Sequence, residues 1–205
     1  MAIDDNTKLE ILSDHYNETF ELQKSNVERR DRLFLYILVL LAIILLYVLT
    51  PNVIGNWIDS FIKNQINNQQ PSNTSPVINT SFIGAILWFG LLSLTHTYFQ
   101  SVLHVQRQYD YIYDLEEELS RYFDDKAFIR EGKHYEKYKL KFSSWTKIIF
   151  WNLFPLMLLV FVIFWLVFLF SQSNAPLGYL IIDSLISLSI LISEGLYLWA
   201  LYKKS

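Results

Sequence analysis

Residues 33–49 read LFLYILVLLAIILLYVL, with no charge and no strongly polar side chain. A helix needs about 20 predominantly apolar residues, within a range of roughly 17–25, to cross about 30 Å of hydrocarbon. In lipid every backbone N–H and C=O must also be satisfied within the segment, which a helix does and an open strand does not. This run therefore specifies a transmembrane helix before anything else is known. Residues 153–170, LFPLMLLVFVIFWLVFLF, repeat the pattern and are interrupted only by Pro155. Two further segments, about 82–101 and 179–201, are long enough but carry some polar groups. The fold class that follows is an all-α integral membrane protein with four transmembrane helices.

Average composition alone would not have led there. A chain of 205 residues with 52% hydrophobic and 18% charged residues is also compatible with a soluble domain. Basic residues add orientation. Five Lys and Arg precede the first span, Lys63 lies between spans one and two, nine fall between spans two and three, and Lys203 and Lys204 follow span four. Sixteen therefore stand on one side and one on the other, so the positive-inside bias puts both termini in the cytoplasm. A cleaved signal peptide is not expected, because an acidic stretch precedes the first span and no small-residue cleavage pattern follows it. There is no cysteine, which removes disulfides and thiolate metal sites. A net charge of −3 argues against nucleic acid as a partner.

Before the first span, Asp4, Asp5, Asn6 and Thr7 offer helix-start residues. Leu9, Leu12, Tyr16, Phe20 and Val27 follow at helical spacing, with no Gly or Pro before the membrane. The spacing predicts one helix from about 7 to 50, weakened at the outer surface by Pro51 and Gly55. The second span continues as SVLHVQRQYDYIYDLEEELSRYF, again without Gly or Pro. There Val102, Val105, Tyr109, Ile112, Leu119 and Phe123 step by three and four, with Glu116 at the one missing step, as in a coiled-coil seam. The two extensions, 7–32 and 101–123, would each reach roughly 35–40 Å. They run in opposite directions and are expected to pack as a cytoplasmic antiparallel two-helix stalk through Leu9, Leu12, Tyr16, Phe20, Val105, Tyr109, Ile112, Leu119 and Phe123.

The chain then divides into a cytoplasmic helix (1–32), a first span (33–50) and an extracytoplasmic loop with an interfacial helix (51–81). A second span (82–101) and a cytoplasmic helical extension with a return loop (102–146) follow. A third span (147–170), a short outer loop (171–178), a fourth span (179–201) and a cytoplasmic tail (202–205) complete it. Within the outer loop, Ile54, Trp57, Ile58, Phe61 and Ile62 share one face, which suits a helix lying in the headgroup layer. Trp145 stands where an interfacial anchor belongs. Gly84, Ala85 and Gly90 in span two would let helices approach closely.

The polar residues of span four carry the chemical interest. Asp183, Ser187, Ile190 and Glu194 fall on one helical face. Asp183 lies near the outer interface and is expected to reach water. Glu194 is about nine residues from Lys203, roughly 14 Å inside the inner anchor, where a charge costs several kcal/mol unless paired, hydrated or protonated. His96 in span two should sit at a similar depth, with Asn152 near it at the inward end of span three. Such a cluster could line a vestibule, conduct protons or gate a pore, and it could equally hydrogen-bond the helices together. No phosphate loop, G-x-S-x-G, H-E-x-x-H or Cys/His array is present, so neither an enzyme nor a cofactor or metal is expected. The basic stretch REGKHYEKYKLK suits anionic headgroups, a cytosolic partner or simple solvation.

A cytoplasmic helix entering the membrane through RRDRLF, and a second span leaving it through LEEELSRYF, resembles the SLATT-type small bacterial membrane proteins that act as effectors in defence against phage. The resemblance covers roughly residues 7–123 and is one of layout, and the second pair of spans is additional to the two-span pattern. It implies an oligomeric membrane-permeabilising effector, triggered through its stalk by a cytosolic protein or small signal. The expected partners are thus the bilayer, further copies of the chain and that trigger. The alternative is a non-conducting anchor that recruits a cytosolic partner through the stalk. A proton-coupled transporter using Glu194 ranks behind both, since four spans are few for one.

Overall fold

The computed structural model describes residues 4–50, 57, 60, 80–122, 148–171 and 177–203, and all its regular structure among them is helical. Helix α1 is Asp5–Leu49, α2 is Thr80–Ser120, α3 is Phe154–Ser171 and α4 is Leu177–Lys203. All four contain stretches long and apolar enough to cross a membrane. The expected interfacial helix, the return loop, Trp145 and Phe123 lie outside the described residues, apart from Trp57 and Ser60.

Helices α1 and α2 span 45 and 41 residues, so each is roughly 60 Å or more in length, twice the thickness of the hydrocarbon. Neither contains a proline, and the two glycines of α2 fall inside its apolar segment. The third span enters differently. A π-helical turn, Ile149–Leu153, leads into α3, and the Phe154 N–H donates to the Ile149 carbonyl five residues back. Pro155 supplies a reason: it has no N–H to offer, and its ring crowds the carbonyl four residues earlier. A wider turn is one way to relieve both.

Contacts group the chain into two compact units. The first comprises Met1–Arg32, Tyr98–Val160 and Leu196–Ser205. In it side-chain hydrogen bonds join the N-terminal part of α1 to the C-terminal part of α2. His15 Nε2 lies 2.8 Å from the Tyr111 hydroxyl, the Tyr16 hydroxyl donates to Glu116 Oε1 at 3.1 Å, and Asn26 Nδ2 donates to the Gln108 amide oxygen Oε1 at 3.0 Å. From Tyr16–Glu116 to Asn26–Gln108 the numbers rise along α1 as they fall along α2, so the two segments run antiparallel. Val105, Ile112, Leu115 and Leu119 are buried, while Leu9, Leu12, Tyr16, Phe20 and Tyr109 are half-buried. Two polar residues occupy the steps where the apolar pattern fails: Gln23 at 4% exposure and Glu116 at 5%. Further along, Phe99 stacks on Tyr197 with ring centres 4.3 Å apart, and Tyr98 meets Phe154 edge-on at 5.1 Å. The Arg30 guanidinium, bonded to Asp31, lies 5.5 Å from the centre of the Phe150 ring.

The second unit comprises Leu33–Thr97 and Phe161–Gly195. Its centre is Trp88, which is fully buried and stacked on Trp165 at 4.6 Å. Ile37, Leu41, Ile44, Leu91, Val162, Leu169 and Ile190 are also buried in this unit. At Gly84 a Cβ would stand 3.2 Å from the Tyr47 hydroxyl, so the Tyr47 ring of α1 packs directly against α2 backbone. Gly90 faces Leu40 more loosely, at 3.7 Å. Leu35, Leu46, Phe89, Val167, Phe170, Ile181 and Leu185 are exposed on these segments. An apolar exterior over a polar-seeded interior is the pattern lipid selects, and in water so large an apolar surface would aggregate.

Candidate functional site

The inward face of α4 within the second unit runs Asp183, Ile186, Ser187, Ile190 and Glu194, all buried. Steps of three and four keep one stripe of a helix facing its neighbours. Both acids therefore point into the bundle, each at 3% exposure. For Asp183 this is a correction: expected to reach water near the outer interface, it is enclosed. It shares the expected stripe with Ser187 and Glu194, and that stripe faces the neighbouring helices.

Ser187 is fully engaged. Its hydroxyl donates to the Asp183 carbonyl at 2.7 Å and accepts from Trp88 Nε1 at 2.9 Å, tying α2 to α4 through the backbone of one turn. Ser189 likewise donates to the carbonyl four residues back. These serines act as joints between and within helices. The acids differ. Asp183 Oδ1 and Glu194 Oε2 are buried and have no hydrogen-bond partner among the described residues.

His96 lies on the exposed side of α2, with its Nδ1 3.4 Å from Ser193 Oγ, the residue beside Glu194. His96 thus meets α4 one residue before Glu194. Trp88 with Ser187 and His96 with Ser193 also show that α2 and α4 run parallel in this unit. Asn152 belongs to the first unit, where it is exposed and its Oδ1 accepts from the Tyr202 hydroxyl at 2.9 Å. Nearby, Lys203 lies over the Trp199 ring at 4.7 Å, an arrangement suited to a membrane–water boundary.

No family model, curated protein or solved structure matches the chain. What the site can do must be read from its own chemistry. Among the described residues no three His, Asp or Glu side chains gather as a metal ion would require. What stands out is a pair of carboxyl groups eleven residues apart on one face, about 16 Å along the axis and so roughly half the hydrocarbon thickness.

Thr95 is the member of this site that the sequence reading did not single out. It is fully buried on α2, and its Oγ1 also lacks a partner among the described residues. A signal existed: Gly84, Trp88, Leu91 and Thr95 step by four, three and four along one face. A threonine in an apolar span ordinarily satisfies itself on its own backbone, however, so its type alone carried no warning.

Proposed function

We propose that the protein is a four-span protein of the bacterial cytoplasmic membrane, with both termini in the cytoplasm, that works as an oligomeric gated pore. The defence role implied by the SLATT-type layout belongs to this proposal. The observation that carries it is the inward position of Asp183 and Glu194. A carboxyl group at membrane depth is costly unless it is paired, protonated or hydrated, and such residues mark ion and substrate pathways. Water admitted by an open pore would solvate both. Control from the cytoplasm is supported by α1 and α2, which continue without a break from the hydrogen-bonded antiparallel segments into the apolar ones. A change of packing in that stalk reaches the spans through rigid backbone.

The test is salt efflux from liposomes containing the purified chain, comparing wild type with Val27→Pro and Ile112→Pro. A proline inside a helix costs about 3 kcal/mol or more and breaks continuity. Efflux is expected to change several-fold in both variants. Efflux that persists unaltered while the prolines disrupt the helices counts against stalk control.

A second reading has its own support. Ile11 and Leu22 are 59% and 56% exposed on the part of α1 that lies outside its apolar span. Exposed apolar side chains on a helix pair also suit an anchor that recruits a cytosolic protein without conducting. Such a protein would co-purify with the wild type and be lost when Ile112 is replaced by Glu.

A further inference from the structure

The second unit has an unbalanced charge inventory. Its described residues include two carboxyl groups, Asp183 and Glu194, and one imidazole, His96, but no Lys or Arg. Tyr36, Tyr47 and Tyr179 are its other titratable groups. Both acids face inward and each keeps one oxygen without a hydrogen-bond partner among these residues. Nothing in this set can neutralise an ionised Asp183 or Glu194 except His96, which lies on the exposed side beside Ser193.

The level of Glu194 supplies a second, independent observation. The pairs Trp88 with Ser187 and His96 with Ser193 fix the register of α2 against α4, and that register brings Thr95 to the level of Ser193 and Glu194. Thr95 sits on the inward stripe of α2, fully buried, with an unpartnered Oγ1. A hydroxyl oxygen and a carboxylate oxygen, both enclosed and both without a hydrogen-bond partner among the described residues, thus lie at one level on the inward stripes of α2 and α4, each with lone pairs to offer a ligand. Anions are repelled by such a site. Oxygen ligands of this kind suit hard cations.

We propose that the interior between α2 and α4 is a cation site, with the Glu194 carboxylate as the binding charge and Thr95 Oγ1 as its neutral donor, and that Asp183 is a second station on the same path. This rests on the pore reading and names what the pore passes. The occupant is a monovalent cation, either a proton or an alkali ion stripped of most of its water. A single negative charge offers no clear means of holding a divalent ion.

The test uses phosphatidylethanolamine/phosphatidylglycerol vesicles containing the full chain, with separate arms for proton, potassium and chloride movement. The variants are Glu194→Gln, Glu194→Asp, Asp183→Asn and Thr95→Val, each checked for helical content and a single species in detergent. Proton or potassium flux is expected in the wild type, reduced about tenfold or more by Glu194→Gln because the binding charge is gone. Partial flux should remain in Glu194→Asp, which keeps the charge, and smaller losses are expected in the other two variants. Proton flux alone identifies the proton as occupant, and potassium flux identifies an alkali ion. Chloride flux in the wild type, or cation flux insensitive to both Glu194 variants, overturns the cation site and leaves the pore reading standing. Vesicles tight to all three ions overturn both.

Discussion

Trp88 joins three helices through one side chain. It stacks on Trp165 of α3, donates through Nε1 to Ser187 of α4, and is itself part of α2. Replacing it with Ala should cost about 3–5 kcal/mol, since a large buried ring leaves a cavity that neighbours fill only partly. Phe in its place keeps a stacking face and loses the N–H, a change worth about 1 kcal/mol in a membrane interior. Unfolding of the detergent-solubilised protein checks both, and equal losses for the two variants would mean that stacking contributes little. Neither role was legible in the sequence, where Trp88 is one aromatic in an apolar run. Glu194 was legible, because its distance from Lys203 puts it at a depth where an acid faces the bundle interior or a water-filled path. Asp183 was only half legible. Depth can be counted along a helix, but which stripe faces the bundle depends on neighbours that the chain's own order does not reveal.

At the level of elements, the two polar breaks in the antiparallel pair are informative. The apolar steps of α1 skip Gln23 and those of α2 skip Glu116, and both residues prove to be buried. A seam can therefore be read through its interruptions, provided the interrupting side chain finds a donor or acceptor across the interface. Glu116 does so in Tyr16. Tyr16→Phe removes a donor from a buried carboxyl group and should cost about 1–2 kcal/mol. Glu116→Leu in the same background should recover most of that loss, because an apolar side chain completes the seam. Thermal unfolding of the three proteins decides it, and a double variant no more stable than Tyr16→Phe alone would contradict the pairing. The π turn before Pro155 lay beyond reach of pattern reading. Sequence marks where a proline disturbs a helix, while the surrounding packing selects a kink, a break or a wider turn.

For the molecule as a whole, four apolar helices follow directly from four apolar runs, and the long forms of α1 and α2 follow from the absence of Gly and Pro where the apolar runs end. The proposed working principle is that the stalk formed by these two helices controls a cation path in the spans. A cysteine-free chain allows that principle to be tested cleanly, because introduced thiols are the only ones present. His15 and Tyr111 touch across the helix pair, with rings edge-on at 5.9 Å. The decisive measurement is ion flux through vesicles containing the His15→Cys/Tyr111→Cys protein, before and after the pair is locked by a short, reducible thiol-to-thiol cross-linker, and again after reduction. The account predicts that locking changes flux several-fold and that reduction restores it. A cross-link that forms in full and leaves flux the same in both directions would contradict control of the membrane segments by the stalk.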